Sequence, residues 1–192
     1  MPEQADSMGK IFHFVYVQPL YRIVLLMLLA AGLWGYLGKT ELGRSRWRML
    51  NGAAFLGACA VIFYMTVCVR EAGAAEVVLT PFQSFREAKQ QPELYRTMLM
   101  NVLLFFPLGL TLPFVLPGKK APVIVTAAAG LFFSAGIEYL QYRYGLGRCE
   151  TDDVIMNTLG ALAGCSAYWF SRRHFIRNLL KKLQKMSFFR AP

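Results

Sequence analysis

The residues best suited to chemistry lie in one stretch, 134–164, which reads SAGIEYLQYRYGLGRCETDDVIMNTLGALAG. Glu138 and Gln141 are i and i+3 on a segment otherwise built of Leu, Phe, Ala and Gly, and Asp153 and Asn157 are i and i+4 at the start of another apolar run. A carboxylate that reaches the bilayer centre costs roughly 2.5–3.5 kcal/mol on insertion scales, so it reads as functional and needs a partner. Arg148, in the loop between the two runs, is the expected partner of Glu138. Three kinds of chemistry suit this set. A binding cleft would use Arg148 against phosphate or carboxylate, with Gln141, Asn157 and Asn101 adding directional hydrogen bonds. An enzyme acting on a lipid-linked phosphate or glycosyl substrate would use Glu138 as general acid or base and Asp152 with Asp153 to hold Mg²⁺. A proton-coupled transporter would use Glu138 as a relay.

Each residue also has a plainer reading. Acids in a helix's first turn interact favourably with its positive end by about 0.3–1 kcal/mol, which alone would account for Asp152 and in part for Asp153. Asn101, Gln141 and Asn157 could simply bond across helices, at an average of about 0.6 kcal/mol per contact. The enzyme reading lacks a Ser or His in an activating arrangement and a Gly-rich phosphate loop. The transporter reading must work with few helices and no evident internal repeat.

The elements that must position these groups follow from hydropathy. With 56% hydrophobic and 17% charged residues, the chain is too apolar for a soluble protein of 192 residues. The expected fold is all-α: a polytopic membrane bundle of about five transmembrane helices, near residues 23–37, 50–69, 98–116, 122–142 and 152–170, forming one domain over 1–170. Prolines 107 and 113 predict a bend in the third. Ala53 with Gly57, and Gly160 with Gly164, form small-residue pairs suited to close helix contact. The second loop, 70–97, carries four basic and four acidic residues, and Leu79, Phe82 and Phe85 after Thr80-Pro81 predict a short interfacial helix, with Thr80 as N-cap and Pro81 at N1. Residues 171–192 read as a basic, amphipathic cytoplasmic tail.

The net charge of +10 does not indicate nucleic acid, because the basic residues fall between hydrophobic runs. Lys39, Arg44, Arg46, Arg48, Lys119, Lys120 and the seven tail residues from Arg172 to Arg190 make thirteen of the 21 basic residues, accompanied only by Glu41. The positive-inside rule places those segments in the cytoplasm and the N-terminus outside. Asn101, Glu138, Gln141, Asp153 and Asn157 then converge at one depth in the outer leaflet. The four cysteines form no CxxC and the two histidines, His13 and His174, are far apart, so neither a disulfide nor a metal or other cofactor is expected.

The stretches LTPF at 79–82, NVLLFFPLGLTLP at 101–113, IEYLQ at 137–141 and GRCETDDVIMNTLGALAG at 147–164 together resemble the VanZ-like family of membrane proteins, named for a teicoplanin-resistance protein. The resemblance covers roughly 79–170, with the first two helices alike in hydropathy only. It implies an integral membrane protein associated with glycopeptide resistance, and it points to Asn101, Glu138, Gln141, Arg148, Asp152, Asp153 and Asn157, with no role for Cys149 or Glu150. The partners it suggests are membrane lipids and an envelope lipid precursor or glycopeptide. It sets no oligomeric state.

Overall fold

A helix with two glycines on one face can bring its backbone against a neighbour, and the fifth predicted helix does this with Gly160 and Gly164. The computed structural model describes residues 44–70, 72–73, 75–116 and 122–172, with helical positions 22, 26, 29 and 30. The predicted first helix, apart from those positions, and the tail beyond 172 lie outside the described residues. The described elements are α1 (Arg44–Phe63) continued by a π-helical turn (Tyr64–Cys68), β1 (Glu76–Val78), α2 (Gln83–Glu87), α3 (Glu93–Val115), α4 (Pro122–Tyr144), β2 (Arg148–Glu150) and α5 (Thr151–Arg172). The architecture is all-α, as expected. Among the described residues, three helical stretches, Arg46–Cys68, Glu93–Val115 and Pro122–Tyr144, are long and apolar enough to cross a membrane.

α3 and α5 pack with their backbones touching. A Cβ at Gly160 would collide with the Val102 carbonyl, one at Gly164 with the Phe106 carbonyl, and one at Gly109 with the Ala161 backbone. α4 closes on the same seam, since a Cβ at Gly130 would lie 2.9 Å from that of Ala161. The Gly160–Gly164 pair therefore acts as its spacing predicts. Gly57 does not: nothing lies within 4 Å of a Cβ built there, so among the described residues no helix uses that face. Around the seam, Ile62, Phe105, Leu108, Ile137 and Ala161 form a buried core, and Phe106, Leu110 and Tyr168 a second one extended by an edge-on contact between Phe114 and Tyr168. Leu56, Ile124, Phe132 and Phe170 point outward, as lipid-facing residues would.

α3 begins at Glu93, five residues before the expected start, with that acid in its first turn. It runs through Pro107 and Pro113 without a break, and the Thr111 hydroxyl donates to the Pro107 carbonyl at 2.8 Å. The second loop differs more from expectation. Its helix is a short one, starting at Gln83, and Phe82 is the N-cap in left-handed conformation (φ 62°), so the Thr80-Pro81 cap is not used. The loop also supplies β1, which pairs in parallel with β2 in the register Glu76 with Arg148, Val77 with Cys149 and Val78 with Glu150.

Because α3 and α5 touch through their main chains, Gly160→Leu or Gly164→Leu is expected to abolish the folded protein, whereas Gly57→Leu is expected to be tolerated. Detergent-solubilised yield and thermal unfolding of the three variants check this; equal loss in Gly57→Leu would contradict the packing.

Candidate functional site

α4 ends in a reversal that only glycine accommodates easily. Gly145 (φ 63°) and Gly147 (φ 119°) turn the chain, with Leu146 N–H donating to the Gln141 carbonyl at 2.8 Å and Gly145 N–H to that of Tyr142 at 3.3 Å, a Schellman cap. The turn delivers β2 across the end of the bundle. Arg148 does not meet Glu138, contrary to the sequence expectation. Its Nε lies 3.2 Å from Glu76 and 3.3 Å from Glu150, and its terminal nitrogens donate to both oxygens of Glu87 at 3.2 and 3.4 Å. The reason is the β-ladder: pairing with β1 sets Arg148 beside Glu76 and aims it at α2, away from α4.

Asp152 is 2% exposed, and its role is equally local. Its two oxygens accept the main-chain N–H groups of Phe82 and Ser84 at 2.5 and 2.7 Å, capping α2 from across the sequence. Ser84 Oγ donates to Glu150 at 2.7 Å, so α2 is fastened to β2 and α5 together. Gln141 faces the opposite way, donating to the Thr66 carbonyl in the π-helical turn at 2.9 Å. A π-turn leaves carbonyls out of the regular ladder, and this amide supplies a donor. These three residues therefore hold the frame.

The interior polar cluster is built from Glu138, Asp153, Asn157 and Asn101. Glu138, 4% exposed, accepts the Glu150 main-chain N–H on one oxygen at 2.9 Å. Asp153 is its electrostatic neighbour, and Asp153 in turn faces the Asn101 side chain on α3. The Asn101 amide nitrogen is buried with no acceptor at full hydrogen-bond geometry. Asn157 donates to Ser134 at 2.8 Å across α4 and α5, and its carbonyl oxygen is left without a donor, as is that of Gln141. Buried polar atoms are nearly always satisfied, and two of the unmet ones, on Asn101 and Asn157, belong to this cluster. Convergence from three helices, expected from their common depth, is thus seen for Asn101, Glu138, Asp153 and Asn157.

Two residues of the site were not singled out from sequence. Arg70, just past the π-turn, acts electrostatically on both Glu138 and Asp153 and approaches Gly147. Its signal was its position, at the end of an apolar run on the same side as the acids. Glu150 had been given no role, yet it touches Arg148 and Ser84 by side chain and Glu138 by main chain. Its i, i+2 relation to Arg148 would have been informative had the strand been recognised.

Beside Glu138 opens a cavity of about 420 Å³, lined by Val77, Leu79, Tyr139, Tyr142, Glu138 and Glu150 among others. Cys149 also lines it, but burial, and then the neighbouring carboxylates, push its thiol above the usual range, so it is held as a poor nucleophile. Asp152 and Asp153 do not present a joint metal site, because both Asp152 oxygens are occupied by amides. Among the described residues no three His, Cys, Asp or Glu side chains are grouped to hold a metal.

Arg148 holds the Glu87 carboxyl below its ordinary range, chiefly by hydrogen bonding, and is itself raised by the same bonds. A carboxyl depressed in the folded state stabilises above its unfolded pKa of about 4.3 and loses that contribution as pH falls through the lower folded value. Acid is therefore expected to loosen α2 from the ladder. Thermal unfolding against pH should show an acid limb that Glu87→Gln flattens, and Arg148→Gln should lower the melting temperature by a few degrees at neutral pH.

Comparison with known proteins bears on the same region. The family model described as VanZ/LLP1 matches residues 53–172, which takes in α1 as well as the motifs that begin at Leu79. Protein VanZ of Enterococcus faecium is 32% identical over 95 residues, covering 50% of this chain and 56% of that protein, so the match spans little more than half of the relative's length. No solved structure matches the chain. With the family match extending over most of the described bundle and all of the polar cluster, the chain belongs to the VanZ-like family.

Proposed function

We propose that this protein is a multi-pass membrane protein that contributes to glycopeptide resistance, teicoplanin in particular, by holding an envelope lipid head group or peptide in the cavity beside Glu138. The observation that carries the reading is the placement of a buried carboxylate with one hydrogen-bonded oxygen on the wall of that cavity. Arg148 takes no direct part, since three glutamates engage it. The ligand instead meets Glu138, Glu150 and the two tyrosines. The enzyme reading is weakened by the commitment of Asp152 to α2 and by the raised Cys149 thiol. The domain runs to the end of α5, with the basic segment beyond as a cytoplasmic tail, and the cleft faces outward.

Glu138→Gln keeps an acceptor for the Glu150 N–H and removes the charge, so it is expected to return a resistant strain toward teicoplanin susceptibility while membrane abundance and melting temperature hold. Unchanged resistance at equal abundance would remove Glu138 from the function. Orientation is tested separately. In a background with the four native cysteines replaced, Lys89→Cys should react with an impermeant maleimide in intact cells, and labelling only after permeabilisation would invert the topology.

A further inference from the structure

We infer that the cavity beside Glu138 selects an amphiphile with an ammonium head group, and that its natural occupant is an amine-bearing lipid of the surrounding bilayer. The inference rests on the cleft reading above and adds the sign of the charge. The charged groups that act on Glu138 are Asp153 and Glu150 on one side and Arg70 on the other. Glu150 already shares Arg148 with Glu76 and Glu87. The cavity lining holds two carboxyl groups, Glu138 and Glu150, and no basic side chain, in a chain whose net charge is +10. An uncompensated carboxylate away from water is costly, and a cation delivered by a ligand offsets that cost.

The rest of the lining has the matching chemistry. Tyr139 and Tyr142 border the cavity, and aromatic faces beside a carboxylate attract ammonium groups through the ring quadrupole. Val77, Leu79, Ala135 and Val154 supply an apolar wall for the hydrocarbon that follows the head. Leu79 is 70% and Tyr139 63% exposed, so the cavity's rim presents apolar and aromatic surface outward rather than a charged collar. An anionic head group would meet Glu138 and Glu150 with like charge. A neutral donor would satisfy hydrogen bonding and bring no counter-charge to the two carboxyls.

The test compares three lipids with identical acyl chains: phosphatidylethanolamine, its N-acetyl derivative, which keeps the phosphate and removes the amine charge, and phosphatidylglycerol. The full chain is reconstituted with an equimolar mixture, and retained lipid is counted by native mass spectrometry. A charge-assisted hydrogen bond predicts about tenfold preference for phosphatidylethanolamine over the other two. Glu138→Gln is expected to abolish that preference, and Arg70→Gln, which removes the competing internal cation at an exposed position, to widen it. Equal retention of all three lipids by the wild type, or an unchanged preference in Glu138→Gln, overturns the ammonium assignment and leaves the cleft reading standing. Retention of none of the three overturns both.

Discussion

The main-chain contact between α3 and α5 is the constraint on which the structure depends. Side chains cannot intervene where Gly160, Gly164 and Gly109 lie, so the two helices approach to backbone distance and gain dispersion contacts along the seam. That approach sets Asp153 opposite Asn101, and the close contact of α4 at Gly130 with Ala161 brings Ser134 within reach of Asn157. A seam of larger residues would separate the helices and pull the polar cluster apart. The glycines are therefore as much a part of the site as the acids, although none of them offers a functional group.

Above the seam the polar groups divide into two sets with different duties. Asp152, Arg148 and Gln141 are tied to the frame by two main-chain amides, three glutamates and a π-turn carbonyl, respectively, although the Gln141 carbonyl oxygen has no donor. They fix where the second loop sits. Glu138, Asp153, Asn101 and Asn157 form the interior set, in which the Asn101 amide nitrogen and the Asn157 carbonyl oxygen are unmet.

Much of this was legible in the sequence. The positions of the described long helices, α1, α3, α4 and α5, followed from hydropathy, the glycine pair from its spacing, and the gathering of Asn101, Glu138, Asp153 and Asn157 from reasoning about depth. What the sequence hid was mostly long-range. Arg148 and Glu138 are ten residues apart and looked like natural partners, but Arg148 is claimed by Glu76 and Glu87 from the other loop. A three-residue strand has no readable periodicity, so EVV at 76–78 and RCE at 148–150 passed as loop. Asp152 looked like an ordinary first-turn acid, and the helix it caps proved not to be its own.

The parallel ladder has a consequence for the order of assembly. Its two strands are separated in sequence by α2, α3 and α4, so their pairing closes a loop that contains most of the bundle. Such closure is entropically costly until the intervening helices are placed, and non-local pairings of this kind form late. The lid made by β1, α2 and β2 is therefore a product of completed insertion. A chain arrested with α4 outside the bilayer has neither ladder nor Arg148 clamp, and the cavity beside Glu138 lacks its Val77 and Leu79 wall. Formation of that cavity is in this way made conditional on biogenesis.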